Sequence, residues 1–527
     1  MALGDDPVLR ARALLIARLA IALYLIELVL NLIRPHLLPD EPALSIFYEL
    51  PGSSGSIGKL LSTPRLVFWA VLAGIAAGAA IQIFAALTRR KVEPGDGRRA
   101  IVLTWITLGC LLLPFGLIPL TVVFTYFPIA LLCLPSTALV LLSLRATVRF
   151  GRLSWAALLL AFGWGALIVF GLGRAYTSLG FGTIYGYLGP KAGTTDLSGF
   201  TKNLSHTMDL LVVHLSLANG LVVAAGVALL LMLLRHRVTD MVTGLVLGAA
   251  VGLGYNFVES ILFIKIYGSL GAFFGPTGGF EYWIRQSIGL LGGQVTFGAL
   301  VGAGLGAAVG ARRRGKLVVA GLLAGIGGSA GAETISGWLA GQVSDHIQTG
   351  STLDTLVISP LFWLVPQLPF LVLVLALLAV GLRARAGLLR DALAAEVGHA
   401  GPVASGTAYT GTVTPESTYA GTVTPESTYA GPEGTYAGTV SPVSAHARHI
   451  TPVEAPILAS ASLRFWTLVR AWRAHGRRIA LGLHRLQCVQ LDLAAWRSGD
   501  DPEMADEGAE LRARVMRAKG EPKAVRL

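Results

Sequence analysis

The chain has 527 residues, of which 54% are apolar and only 14% charged, and its formal net charge is +12. A soluble chain of ordinary composition carries about a quarter charged residues, so one soluble globular body is excluded, and the basic balance reads as membrane topology and attraction to anionic lipid, with no nucleic-acid partner. Three cysteines, Cys110, Cys133 and Cys488, with no CxxC, give no sign of a disulfide framework or a thiolate metal site.

The first apolar run, Ala13 to Ile33, is too long for a signal-peptide core and lacks a small-residue cleavage site, so it reads as a retained helix. Arg18 and Glu27 within it are expected to form an ion pair or to snorkel. A hydrocarbon core of about 30 Å needs about 20 apolar residues. Ten spans are predicted, at about 13–33, 66–87, 100–118, 121–143, 153–173, 208–234, 241–266, 286–311, 317–341 and 359–381. Pro114 and Pro119 are expected to mark the turn between the third and fourth. Arginine clusters at 10–12, 89–99, 145–152, 235–237, 312–316 and 383–390 then share one face of the membrane. By the positive-inside rule both termini are cytoplasmic. The excess of Arg over Lys and the abundance of Ala, Gly and Leu suit a bacterial chain. The predicted class is an all-α, polytopic transmembrane helix bundle of a bacterial cell membrane, with a partly disordered cytosolic C-terminal tail.

Residues 1–207 are expected to form a helical scaffold, 208–382 a second group of spans, 383–457 a low-complexity linker and 458–527 a basic helical segment. The linker carries the repeats YTGTVTPEST at 409–418 and YAGTVTPEST at 419–428, too polar to bury a core. Thr414, Thr424 and Thr451 precede Pro, which fits phosphorylation or simple repeat slippage. Residues 461–497 read as one amphipathic helix with a face of Phe465, Leu468, Trp472, Leu483, Gln490 and Leu493. Its basic complement suits either the anionic inner leaflet or a partner helix. A further helix is predicted near 502–517.

The spans from 208 to 341 hold glycines spaced by four (Gly244, Gly248 and Gly252; Gly298, Gly302 and Gly306) and isolated polar residues. Such stripes let helix backbones approach closely. His214, Glu259, Gln294 and Glu333 are predicted at one depth, about 10–12 Å below the outer surface, with Asn219 and Asn256 about a turn deeper. A carboxylate at such depth costs about 2.5–3.5 kcal/mol or more. Two at one level call for a shared proton, a metal or a water-filled cavity, unless they serve only interhelical hydrogen bonding.

The segment TGLVLGAAVGLGYNFVESILF, from Thr243 to Phe263, resembles the PrsW family of intramembrane proteases. Gly244, Gly248, Gly252, Gly254 and Glu259 match that family's corresponding helix, while Tyr255 stands for its Phe and Phe263 for its Tyr. The resemblance covers about 208–345. It implies a polytopic membrane (metallo)protease, a catalytic role for Glu259, the one residue of the family's catalytic set that carries over by identity, and single-span membrane proteins as substrates; Glu333, at the same depth, is a second catalytic candidate. His214, Glu259 and Glu333 would then form a one-His, two-carboxylate site for a divalent metal such as zinc, with Asn219, Asn256 and Gln294 lining a polar cavity. The chain departs from the pattern elsewhere. The family's paired-glutamate motif would fall near Ala218 and Asn219, its Asp is Thr243, the Asn after its Glu is Ser260, and a His is Gln294. The expected function is therefore a PrsW-like membrane protein, active or catalytically inactive. The alternatives are an ion- or proton-coupled transporter and a membrane scaffold or sensor acting through its tail.

Overall fold

The computed structural model describes residues 7–34, 63–88, 97–148, 153–188, 197–274, 284–309, 311, 313–344, 353, 357–398, 449–497 and 505–520, without the side chains of 197–212 and 266–274 among others. The repeats at 409–428, and with them Thr414 and Thr424, lie outside the described residues. The chain is an all-α membrane protein. Among the described residues there is no strand, and nine helices are long and apolar enough to cross a bilayer. It divides into two compact units, Met1–Leu382 and Arg383–Leu527.

In the first unit, α1 (Pro7–Leu32) is followed by α2 (Arg65–Thr88) and α3 (Gly97–Leu112). A 3₁₀ turn, Leu113–Gly116, then leads into α4 (Leu117–Thr125) and α5 (Phe127–Thr147). The break between the third and fourth spans falls at Tyr126, not at the predicted prolines. Pro114 and Pro119 each stand in the first turn of a helical segment, where the missing N–H had no partner to lose. Helix α6 (Trp155–Trp164) passes through a π turn, Gly165–Val169, into α7 (Phe170–Leu188). Helix α8 (Leu197–Leu233) follows, and α9 (Met241–Phe274) runs through the centre, nearly every side chain of its spanning part buried.

Glycine explains that burial. A Cβ on Gly248 would strike the Gly298 carbonyl of α10 (Gln294–Ala307), and one on Gly244 the Gly302 carbonyl. Gly304 in turn lies against the Cα of Gly321 in α11 (Arg314–Ser344). On the other side of α9, Gly254 meets the Phe162 carbonyl of α6, and Gly165 of the π turn meets that of Val251. Backbones thus touch on several faces of α9, the packing by which helices associate where lipid gives no hydrophobic drive. Helices α1, α6 and α7 pack directly against α8 and α9, so no separate scaffold is set off at residue 207.

Helix α12 (Ser359–Gly398) contains Pro366 and Pro369. Pro366 cannot bond the Phe362 carbonyl, and the Ser336 hydroxyl of α11 donates to it instead, at 2.8 Å. A crossing uses about 20 of the 40 residues, and those from Arg383 on belong to the second unit.

The second unit adds α13 (Glu454–Ala459), α14 (Ala461–Arg497) and α15 (Ala505–Gly520). Thr451 and Glu454 bond reciprocally, each side chain taking the other's backbone N–H, which starts α13. Leu486 and Leu493 of α14 pack with Leu511 and Val515 of α15. The Glu396 side chain is fully buried between Arg497 and Arg512: Nε of Arg512 stands 3.1 Å from Oε1, and Arg497 bonds the other oxygen. His449 Nδ1 is 3.7 Å away. Burial alone would raise this carboxyl group, yet the Arg512 and Arg497 hydrogen bonds hold it below the usual carboxylate range.

Candidate functional site

The predicted eighth span is not one long helix. Helix α10 begins only at Gln294, and its 14 residues rise about 21 Å, short of a bilayer core. Before it the chain runs through a 3₁₀ turn, Ile288–Leu290, to Gly293, whose φ of 56° favours glycine. Irregular backbone at membrane depth survives only where protein supplies its hydrogen bonds. Here the Gly293 N–H donates to Gln367 Oε1 of α12 at 2.5 Å, Asn256 Nδ2 of α9 donates to the Gly292 carbonyl at 3.2 Å, and the Thr296 hydroxyl donates to the Leu291 carbonyl at 2.7 Å. Gln294 therefore stands at the start of a helix rather than well inside one.

That position brings it to a carboxylate. Gln294 Nε2 lies 3.5 Å from Glu333 Oε1 of α11 and 3.3 Å from the Ser329 hydroxyl. The Ser216 hydroxyl of α8 donates to Glu333 Oε2 at 2.6 Å. Glu333 feels the charge of Glu259, which is 3.6 Å from Arg285. The Arg285 guanidinium also lies over the Phe263 ring at 4.2 Å. Tyr255, one turn before Glu259, is buried and within electrostatic reach of both carboxylates and of the buried Arg174 in α7. Two carboxylates and two guanidiniums thus share the interior of α7 to α11, and their charges sum to zero when all are ionised. Helix α10 adds the positive end of its dipole on the Glu333 side.

Glu259, Glu333, Gln294 and Asn256 are therefore brought to one region. Asn219 faces Gly173 of α7, and among the described residues neither its Oδ1 nor Gln294 Oε1 has a hydrogen-bond partner. His214 is directed elsewhere. Its Nε2 is 3.2 Å from the Tyr176 hydroxyl and 3.3 Å from Oε2 of Glu27, which is buried in α1. Glu27 thus meets His214 across the helices, while Arg18 is exposed on α1 and does not form the expected pair. Arg174, Arg285, Ser216, Tyr255 and Gln367 were not anticipated as site residues. Both arginines fall just outside the predicted spans, although two carboxylates within the bundle ask for cations nearby.

The suggested metal set does not close. Among the described residues no three of His, Cys, Asp and Glu come together to hold a metal ion. Around Glu259 and Glu333 the described residues set the Gln294 amide N–H, the Ser216 hydroxyl and the Arg285 guanidinium, with no imidazole or thiolate among them, and Arg285 occupies the place where a cation would be attracted. Zinc favours nitrogen and sulfur ligands and an open fourth position, so these residues do not fit a hydrolytic zinc centre.

Residues 153–331 match the family model described as PrsW family intramembrane metalloprotease. No curated protein and no solved structure matches the chain. The matched region starts earlier than the motif suggested. It takes in α6, the π turn and α7, and so Arg174, and it ends two residues before Glu333. By its helices α6 to α11, the chain is a polytopic membrane protein similar to the PrsW family.

Proposed function

We propose that the protein is a PrsW-like membrane protein that has kept the family's helical frame and a polar interior but not a hydrolytic metal site, and that it binds membrane segments of other proteins without cleaving them. The observation that carries this reading is the pairing of Glu259 with Arg285, while His214 is turned to Glu27. A general base must be free to take a proton, and a metal-activated water needs an open ligand position. A carboxylate paired with a guanidinium supplies neither. The polar groups gathered among α7 to α11 can instead take up backbone or side-chain polar atoms of an incoming helix.

Co-expression with tagged single-span proteins, with a photocrosslinking residue at position 217 of α8, tests this. Crosslinked, uncut single-span partners are expected. Cleavage that disappears in Glu259→Gln would overturn the reading in favour of an active protease. The break at Gly293, near the part-buried carboxylates Glu259 and Glu333, favours ion- or proton-coupled transport as a second reading, since interrupted helices of this kind frame transport sites. Proton uptake in proteoliposomes that is lost in Glu333→Gln would establish it.

A further inference from the structure

Helix α14 is not straight. Gly476 has φ 80° and ψ 174°, outside any helical region. Gln487 Nε2 bonds the Thr467 hydroxyl at 3.1 Å, although twenty residues of straight helix would hold them about 30 Å apart. The chain therefore reverses at Gly476, and residues 461–475 lie antiparallel to 477–497. Arg464 comes within electrostatic reach of Cys488, as the reversal requires. This corrects the expectation of one amphipathic helix whose apolar face runs from Phe465 to Leu493.

The two limbs have different surroundings. The second limb turns Leu483, Leu486, Leu491 and Leu493 into the unit's interior. The first limb leaves its large side chains outside: Phe465 is 59% exposed, Trp466 56% and Trp472 60%. Arg470, Arg473, Arg477 and Arg478 are exposed beside them. On a helical wheel Phe465, Leu468, Val469 and Trp472 share one arc, with Arg470 and Arg473 on its flank. No acidic residue occurs from 455 to 491.

We propose that the first limb of this hairpin, with the turn that follows it, docks on an anionic lipid surface, with Phe465, Trp466 and Trp472 entering the headgroup boundary and Arg470 and Arg473, together with Arg477 and Arg478 just past Gly476, facing lipid phosphates. Indole and phenyl rings partition to that boundary. Guanidinium groups meet phosphate oxygens with paired N–H donors. The charge is complementary to an anionic leaflet, and the limb is tethered to one, because the unit begins where the last spanning helix ends. Covalent tethering keeps the limb at high local concentration near lipid, so modest affinity is enough. Gly476 lets the first limb and the turn carry the lipid-facing residues while the second limb, from Leu483 on, packs within the unit.

The test uses the full chain in nanodiscs, with a solvatochromic amino acid at position 465. Its emission is expected to shift to the blue in phosphatidylcholine discs containing phosphatidylglycerol, and to stay that of an aqueous site in discs of phosphatidylcholine alone. The same probe at the exposed position 492 stays aqueous in both. Each arginine changed to glutamine, from Arg470→Gln to Arg478→Gln, should lower occupancy of the docked state about fivefold at low salt, and added salt should do the same for the unaltered chain. An aqueous signal in both lipids overturns the proposal. So does an equal blue shift in both, which would mean that charge plays no part. A blue shift already present in neutral detergent, growing with protein concentration, would show that a second copy covers the face instead.

Discussion

One methyl group at Gly248 probes the contact on which the bundle rests. A Cβ there falls within contact of the Gly298 carbonyl oxygen and 3.1 Å from the Gly302 Cα. Both are backbone atoms of α10, so no side chain can rotate away. Helices α9 and α10 have to part by about an ångström, loosening dispersion contacts along their shared face. Overpacking of this kind costs about 1–3 kcal/mol. Gly327→Ala in α11 is the control, since nothing lies within 4 Å of its added Cβ, and helix propensity favours alanine by about 0.5–1 kcal/mol. The two substitutions are chemically identical and should have opposite signs. Reversible unfolding in mixed micelles with increasing dodecyl sulfate, followed by far-ultraviolet circular dichroism, measures both. Equal midpoints for Gly248→Ala and Gly327→Ala would refute the close backbone packing.

Glu259→Ala removes the partner of Arg285 and should destabilise the first unit by about 2 kcal/mol, less than for a fully buried pair because both side chains keep some exposure. The double variant with Arg285→Ala should recover part of that loss in the same unfolding assay. The Glu396 carboxyl is held below its ordinary value, so its contribution to the second unit is complete above pH 4.5 and is lost as pH falls through the lowered folded value. Limited proteolysis at the 461–497 hairpin should therefore accelerate in acid, and Glu396→Gln should show that acceleration already at pH 7. Gly476→Ala forces a side chain into a left-handed conformation and should cost about 1–2 kcal/mol. Faster cleavage near residue 476 would report it.

Much of the frame can be read from residue pattern. The four-residue glycine spacing that predicts a tight bundle is the spacing at which α9 and α10 touch. The change in composition after 382 is where the second unit starts. Depth along a helix was also informative, since Glu259, Gln294 and Glu333 gather in one region. Azimuth was not considered in that reading, and it decides the fate of His214. His214 and Ser216 differ by two residues, about 200° around α8, so Ser216 meets Glu333 while His214 meets Glu27. The break at Gly293, second of the pair Gly292–Gly293, and the reversal at Gly476 fall in otherwise helical patterns. A glycine costs a helix only about 1 kcal/mol, so the pattern alone does not mark either as a break. What reveals each one is a long-range bond, from Gly293 to Gln367 and from Gln487 to Thr467. Hydropathy windows stop at a charge and so leave out Arg174 and Arg285, whereas the folded bundle buries Arg174 near Tyr255 and sets Arg285 beside Glu259.

The central claim is that Glu259 and Glu333 belong to a polar binding interior and not to a hydrolytic metal centre. Metal content per chain tests it most directly. Protein purified without chelator should carry well under one equivalent of zinc by mass spectrometry, unchanged in Glu259→Gln and Glu333→Gln. One equivalent in the unaltered protein, lost in both variants together with cleavage of a co-expressed single-span protein, would contradict the account.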